Sequence, residues 1–239
     1  METLLEWGDN LDRADKYGRT PLLWAAGSDV LERDTNNGCD RVVKKLLERS
    51  EVNPNRIDKN GGTPLSWAAW NGYGGIVRIL LERNDVNPDT EGDRGRTPLS
   101  WAAGPMTGPG DSEEEYKKVV KILLERNEVN PDRADKGGRT PLSWAAESGH
   151  WEIVRTLLER SDLNPSIADE GGRTPLSWAA SSRASIQGTR EGRKKVVGIF
   201  LGQNEVNPDT ADRGGRRPLS WAAEGGCEEV VRMLFERNG

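Results

Sequence analysis

Apolar residues in this chain recur in two helical patterns that alternate along it. After Thr140, a short segment carries one apolar face made of Leu142, Ala145 and Ala146. Thr140 is a suitable N-cap, and Pro141 fits the first helical position because its missing N–H would be unpaired there anyway. Gly149 and His150 break this segment, and a second apolar face then recurs at i, i+1, i+4 and i+5, in Ile153, Val154, Leu157 and Leu158. The pattern predicts a short helix, a turn and a longer helix.

Turn-forming residues follow the second predicted helix. The segments Asp162-Leu163-Asn164-Pro165 and Asp169-Glu170-Gly171-Gly172 concentrate proline, glycine, asparagine and aspartate. Such residues favour a turn or hairpin, so each unit should end in a projecting finger. One unit has too little apolar surface to be stable alone, and we therefore expect neighbouring units to stack.

The unit repeats six times with two alternating lengths. Variants of the phrase Thr-Pro-Leu-Ser-Trp-Ala-Ala place tryptophan at Trp24, Trp67, Trp101, Trp144, Trp178 and Trp221, at intervals of 43, 34, 43, 34 and 43 residues. Because intervals of 43 and 34 residues alternate, we infer that a two-repeat block was duplicated. We predict an all-α solenoid of six helix-turn-helix repeats with projecting fingers. It should form one domain over residues 1–239, with repeats at about 15–57, 58–91, 92–134, 135–168, 169–211 and 212–239 after a partial repeat over 1–14.

Composition narrows the function classes. The formal net charge of −5 opposes binding to a phosphate backbone, so nucleic acid is not an expected partner. Two cysteines, Cys39 and Cys227, and one histidine are too few for a disulfide framework or a zinc site. No apolar run is long enough for a membrane span, and no signal peptide is recognisable, so we expect a cytoplasmic protein. Nothing resembles an activated nucleophile or a phosphate-binding loop, so neither an enzyme nor a cofactor is expected.

The repeated phrase resembles the ankyrin signature Thr-Pro-Leu-His-x-Ala. It is matched at Thr20, Thr63, Thr97, Thr140 and Thr174, with serine or leucine in place of histidine. Ankyrin repeats have about 33 residues, so the longer units carry about nine more. The resemblance implies a protein-binding module whose fingers and first helices line a groove. The wording of the repeats is also similar to the C-terminal arrays of fungal NACHT-type NOD-like receptors, which implies a recognition module of a larger sensor.

Candidate partner-binding residues follow from the groove that the resemblance implies. The residues at the finger tips differ between repeats, which favours recognition over the alternatives of a spacer or assembly scaffold and of an engineered array. Trp70 follows an alanine pair where the family presents variable residues, and packing on a neighbour is its alternative role. The candidates are Lys16, Tyr17, Arg19, Trp70, Asn71, Arg94, Arg96, Lys136, Arg139, Glu147, Glu170, Arg173, Arg213 and Arg216.

The finger arginines allow two interpretations. Stacked along the repeats they would form a basic ladder, but an aspartate stands four residues before most of them and could pair locally. Arg96 lacks this aspartate because Gly92 replaces it, so Arg96 is the first candidate for an acidic partner. The six recurrent tryptophans are expected to pack between repeats.

Inserted segments distinguish the longer units. They fall near 27–40, 104–116 and 181–193, share no sequence, and carry formal charges of −3, −4 and +2. They are either tolerated surface loops or binding loops. The candidates within them are Asp29, Glu32, Met106, Glu113, Glu114, Arg183 and Arg190.

The last repeat differs from the others at its N-cap. Arg217 replaces the threonine there, and the repeat keeps its apolar residues. We therefore expect fraying or end-to-end self-association at this repeat.

Overall fold

The computed structural model describes residues 11–27, 36–105, 112–181 and 188–237. Within these ranges the regular elements are helices, together with one 3₁₀ turn at Asp93–Gly95. In chain order they are α1 (Pro21–Gly27), α2 (Asn36–Leu47), α3 (Pro64–Trp70), α4 (Gly74–Leu81), α5 (Pro98–Ala103), α6 (Glu113–Leu124), α7 (Pro141–Ser148), α8 (Trp151–Leu158), α9 (Pro175–Ala180), α10 (Gly188–Leu201), α11 (Pro218–Glu224) and α12 (Glu228–Arg237). The predicted succession of first and second helices is confirmed.

The first helices begin as the sequence predicts. Thr63, Thr140 and Thr174 each accept a hydrogen bond from the backbone N–H of the serine three residues later, at 3.1, 3.2 and 3.3 Å. Proline follows each threonine at the start of the helix. Arg217 makes no such bond, so α11 lacks the side-chain cap of its counterparts.

The chain divides into two compact units. The first unit comprises Met1–Pro98 with Met106–Val129. In it α1 packs on α2 and α3, and α4 packs on α2, α3 and α6. Apolar side chains from these helices form its core, including Leu65, Ile76 and Leu123, each at most 1% exposed.

The second unit comprises Leu99–Pro105 with Asn130–Gly239. In it α7 packs on α8 and α9, α9 packs on α10 and α11, and α12 packs on α10 and α11. Leu142, Leu157 and Phe200 are fully buried in this unit. Apolar faces that are too small for an isolated helix pair are thus covered by the adjacent pairs.

The inserted segments are not loops throughout, which corrects the sequence-based expectation. Helices α2, α6 and α10 contain 12, 12 and 14 residues, whereas α4 and α8 contain 8 each. The later part of each insertion therefore lengthens the second helix at its N-terminus. In α6 this is favoured by Glu113, Glu114 and Glu115, because carboxylates stabilise the positive end of the helix dipole. Tyr116, assigned to an insertion, is fully buried and donates a 2.9 Å hydrogen bond from its hydroxyl to the carbonyl of Trp70.

Five of the six finger turns are held by an aspartate, whereas the turn of Arg96 has Gly92 at that position. In the turn of Asp135, one carboxylate oxygen accepts the backbone N–H groups of Gly137 and Arg139, both at 2.9 Å. Backbone hydrogen bonds join successive turns of the second unit, from Glu170 N–H to the Gly137 carbonyl at 2.9 Å. Gly138 has φ +78°, and a Cβ atom there would lie 2.7 Å from the Glu170 nitrogen. Glycine is therefore required at this position by conformation and by close approach.

Candidate functional site

An aspartate and a tryptophan nine residues apart are joined in each of five repeats. The indole N–H of the tryptophan donates to the carboxylate oxygen that the turn backbone leaves unused. The pairs are Trp24 with Asp15 (3.2 Å), Trp67 with Asp58 (3.0 Å), Trp144 with Asp135 (3.0 Å), Trp178 with Asp169 (3.1 Å) and Trp221 with Asp212 (3.1 Å). Sequence reasoning missed this link, although the constant spacing was its signal. Each bond fixes the finger on the first helix of its own repeat.

The finger arginines lie against the same tryptophans. In the second unit, Arg139 lies 3.5 Å from the ring centre of Trp144 and 3.7 Å from that of Trp178. Arg173 lies 3.5 Å from Trp178 and 5.6 Å from Trp221, and Arg216 lies 3.6 Å from Trp221. We call these six residues the arginine–tryptophan column. Guanidinium groups at such distances are attracted to indole faces.

The column shows how these residues pack, and local pairing holds for only one of its three arginines. The tryptophans pack through guanidinium groups, and Trp178 and Trp221 are 6% and 9% exposed. Local pairing with the aspartate four residues earlier holds for Arg173, whose Nε lies 3.4 Å from Asp169. It does not hold for the other two, because Nη2 of Arg139 binds Glu147 at 2.6 Å and Nη2 of Arg216 binds Glu224. The aspartates are instead occupied by backbone and indole N–H groups.

Burial and hydrogen bonding shift the acidity of several groups in the second unit. Burial lowers the pKa of Arg139, and Glu147 opposes that shift. For Asp212, burial acts to raise the pKa, but the backbone N–H groups of Arg216 and Gly214 and the indole of Trp221 outweigh it, so the pKa is lowered. Burial of His150 disfavours its charged form and lowers its pKa to about 4. The contact of Nδ1 with the carbonyl of Ala103, at 3.4 Å, acts in the opposite direction.

The first unit contains a looser version of the same arrangement. Arg19 lies 4.8 Å from the ring centre of Trp24 and 4.9 Å from that of Trp67, and its Nε is 3.8 Å from Asp58. Trp24 is 46% exposed, so the prediction that it packs between repeats is wrong. Among the described residues, Arg19 covers only part of its indole.

Six of the fourteen predicted contact residues lie at exposed finger tips. Tyr17 is 54% exposed, with the Lys16 ammonium 4.9 Å from its ring centre. The other exposed tip candidates are Arg94, Lys136, Glu170 and Arg213. Their role in binding stays a prediction.

Two candidates are not accessible. Arg96 is 6% exposed, because the extended residue leads into the buried Thr97 and Pro98, so it is not the surface arginine that the sequence suggested. Asn71 is fully buried at the end of α3, which removes it from the contact surface. Trp70 is half-buried and meets Trp67 edge to face, with ring centres 5.1 Å apart. Whether Trp70 also contacts a partner stays a prediction.

The candidates in the inserted segments divide into two sets. Asp29, Glu32, Met106 and Arg183 lie outside the described residues. Glu113 and Glu114 lie in the first turn of α6, where Glu114 binds Lys117 at 2.6 Å. Arg190 is exposed in α10. Its neighbour Arg193 is 6% exposed and donates a 2.7 Å hydrogen bond to the carbonyl of Ser181.

Other chemistries find little support. Across residues 11–27, 36–105, 112–181 and 188–237, no group of three or more histidine, cysteine or acidic side chains is placed to hold a metal ion. Cys39 and Cys227 are free thiols, and burial raises the pKa of Cys39. No helix among the described residues has the length and apolar character needed to cross a bilayer.

Comparison with known proteins decides the family. The family model for ankyrin repeats in three copies matches residues 31–105 and 112–188, which is more than half of the chain. The chain belongs to the ankyrin-repeat family. Ankyrin repeats are in general non-catalytic modules for protein–protein interaction.

Solved ankyrin structures share the fold. The ankyrin repeat protein EF0377 matches with a TM-score of 0.70 and 21% identity, over 93% of this chain and 99% of that one. An ankyrin repeat domain from Acinetobacter baumannii AYE matches with a TM-score of 0.69 and 24% identity, over 94% and 99%. No curated protein matches the sequence. The predicted all-helical ankyrin fold class is confirmed.

Proposed function

We propose that this ankyrin-repeat chain recognises a protein partner through the finger turns and first helices of its second unit. The observation that carries the proposal is a hydrogen-bonded framework that is the same in three repeats, with exposed residues that differ between them. Asp135, Asp169 and Asp212 each anchor a tryptophan in the same way. The residues directly after these aspartates, Lys136, Glu170 and Arg213, are all exposed and all different.

A rigid frame with exposed variable residues suits recognition for an energetic reason. Association costs entropy when contact side chains must be ordered, and a surface that is already fixed reduces that cost. The bonded turns and the arginine–tryptophan column supply such a surface. A spacer or assembly scaffold, the alternative function, would not require the tip residues to differ between repeats.

Site-specific photo-crosslinking in extracts of the native cell tests the proposal. The photoreactive residue p-benzoylphenylalanine would replace Lys136 or Arg213 at the finger tips. Matched controls place it at Arg155 in α8 and Arg232 in α12, which are also exposed but lie on second helices. We expect one and the same protein to be captured from both tips and not from the second helices. Capture from the second helices alone, or only of further copies of this chain, would contradict the proposal.

We propose further that the module is the sensing array of a cytoplasmic NACHT-type receptor like those of fungi. The support is the verbatim repetition of Gly-Gly-Arg-Thr-Pro-Leu-Ser-Trp-Ala-Ala, at Gly137 to Ala146 and again at Gly171 to Ala180. Sequencing the complete transcript is the test. A nucleotide-binding domain encoded before the repeats is the expected result, and a complete open reading frame with no such domain would refute the receptor role.

A further inference from the structure

Arg173 differs from Arg139 and Arg216 in the surroundings of its terminal nitrogens. A glutamate eight residues later binds Nη2 of Arg139 and Nη2 of Arg216. The residue eight positions after Arg173 is Ser181, which is 4% exposed and ends α9 in an extended conformation. No carboxylate of the chain therefore takes the corresponding place at Arg173 within the described residues.

Within the part of the chain that the structure describes, the terminal nitrogens of Arg173 have no hydrogen-bond partner. Among the described residues its guanidinium donates no hydrogen bond, and its one ion pair within 4.0 Å joins Nε to Asp169 at 3.4 Å. That carboxylate already accepts the Trp178 indole N–H at 3.1 Å and the Arg173 backbone N–H at 2.8 Å. The side chain of Arg173 is 23% exposed, so part of it can be reached from outside.

The indoles hold this guanidinium in place before any partner arrives. Trp178 lies between Arg173 on one face and Arg139 on the other, at 3.5 and 3.7 Å from its ring centre. Arginine stacked in this way loses little further rotational freedom when its planar fork binds a carboxylate. Arg139 also repels Arg173 as a like charge, which an added carboxylate would relieve.

We propose that Arg173 binds the side-chain carboxylate of an aspartate or glutamate in the partner protein. This inference rests on the proposed function and specifies the chemistry of the partner. Glu147, which lies 2.6 Å from Nη2 of Arg139, shows the geometry that the partner's carboxylate takes at Arg173. The exposed Glu170 of the same turn is negatively charged and would repel the partner's carboxylate. The positively charged Arg213 lies at the tip of the next turn.

Defined peptide libraries test the inference without the natural partner. Two libraries of short acetylated and amidated peptides would be identical except for one fixed position, glutamate in one and glutamine in the other, with acidic residues excluded elsewhere. The blocked ends remove the chain-terminal carboxylate as a ligand. We expect the full chain to retain the glutamate library about tenfold more strongly than the glutamine library.

Two substitutions with the same loss of charge separate a specific site from general attraction. Arg173→Gln should abolish the preference for glutamate, whereas Arg213→Gln, at an exposed tip, should keep it. Arg173→Lys provides a second variant, because lysine keeps the charge but not the planar fork, and it should also lose most of the preference. Glu147→Ala should strengthen the preference, since it opens the fork of Arg139.

Three results would overturn the inference. These are equal retention of both libraries by the unaltered chain, equal losses in Arg173→Gln and Arg213→Gln, and stronger retention of a phosphoserine library than of the glutamate library. Photo-crosslinking from positions 136 and 213 in the Arg173→Gln background distinguishes the two proposals. Undiminished capture of the partner would refute the role of Arg173 and leave protein recognition standing, whereas no capture in either background would refute both.

Discussion

The indole nitrogen of Trp178 donates a 3.1 Å hydrogen bond to Asp169, nine residues earlier in the chain. The other oxygen of the same carboxylate accepts the backbone N–H of Arg173 at 2.8 Å. One carboxylate, 7% exposed as a residue, thereby joins a finger turn to the helix that follows it. The same arrangement recurs at Asp15, Asp58, Asp135 and Asp212.

Asp169→Ala should destabilise the second unit by about 2–3 kcal/mol, because it leaves a buried indole N–H and a backbone N–H without their charged acceptor. Glu170→Ala on the same turn is the matched control and should change the free energy of unfolding by less than about 0.5 kcal/mol. Urea denaturation followed by tryptophan fluorescence measures both. Equal effects of the two substitutions would show that the aspartate is not a structural anchor.

The helices were predictable from the sequence, and the role of the aspartate was not. Threonine before proline and an apolar face at helical spacing are local signals, and they placed the start of α7 correctly at Pro141. The Asp–Trp bond and the arginine stacking depend on how a turn folds back over a helix, which spacing alone does not reveal. Burial of Arg96 and Asn71 depends on neighbours supplied by packing, so both remained surface candidates in the sequence-based prediction.

Asp132→Asn should stabilise the second unit by about 1 kcal/mol at pH 7. Asp132 accepts the backbone N–H of Asn164 at 2.8 Å, but its other oxygen is buried without a hydrogen bond. Asn55 occupies the equivalent position in the first unit, where its amide accepts from Asn87 at 2.9 Å and also donates to the carbonyl of Asp85 at 2.5 Å. An asparagine at 132 can likewise donate to the carbonyl of Asp162.

The same substitution has a predicted pH dependence. Burial raises the pKa of Asp132, and the nearby Asp162 raises it further. A carboxyl whose pKa is higher in the folded state favours folding when protonated, and this contribution is lost as the pH rises through the folded pKa. The advantage of Asp132→Asn over the unaltered chain should therefore be larger at pH 7 than near pH 4 in urea denaturation. An advantage that grows on acidification would contradict the assignment.

Arg217→Thr should stabilise α11 by about 1 kcal/mol through the missing N-cap. Ser220 already stands three residues later, as Ser66 does in the capped helix α3. The substitution removes the ion pair of Arg217 with Asp209 at 3.6 Å, but both side chains are about half exposed, so this loss is small. Amide hydrogen exchange of α11 measures the effect. Unchanged protection in the threonine variant would show that the cap does not limit this helix.

His150 should titrate with a pKa of about 4 in the folded protein, because burial disfavours its charged form. It is the only histidine of the chain, so its imidazole resonances in NMR report the pKa without assignment. Since the unfolded state binds a proton near pH 6.5, stability should be complete above that pH and fall by roughly 2–3 kcal/mol towards pH 4. His150→Gln should lack this decline. A folded-state pKa near 6.5 would remove the predicted pH dependence.

The arginine side-chain resonances provide the most direct test of the arginine–tryptophan column and of carboxylate binding at Arg173. In NMR spectra of the free chain, the side-chain N–H signals of Arg139, Arg173 and Arg216 should be displaced by the ring currents of the indoles, with exposed Arg213 as the undisplaced reference. On addition of the glutamate peptide library, the signal of Arg173 should shift while those of Arg139 and Arg216 stay in place. Undisplaced signals in the free chain, or equal shifts of all three arginines on addition of peptide, would contradict the account.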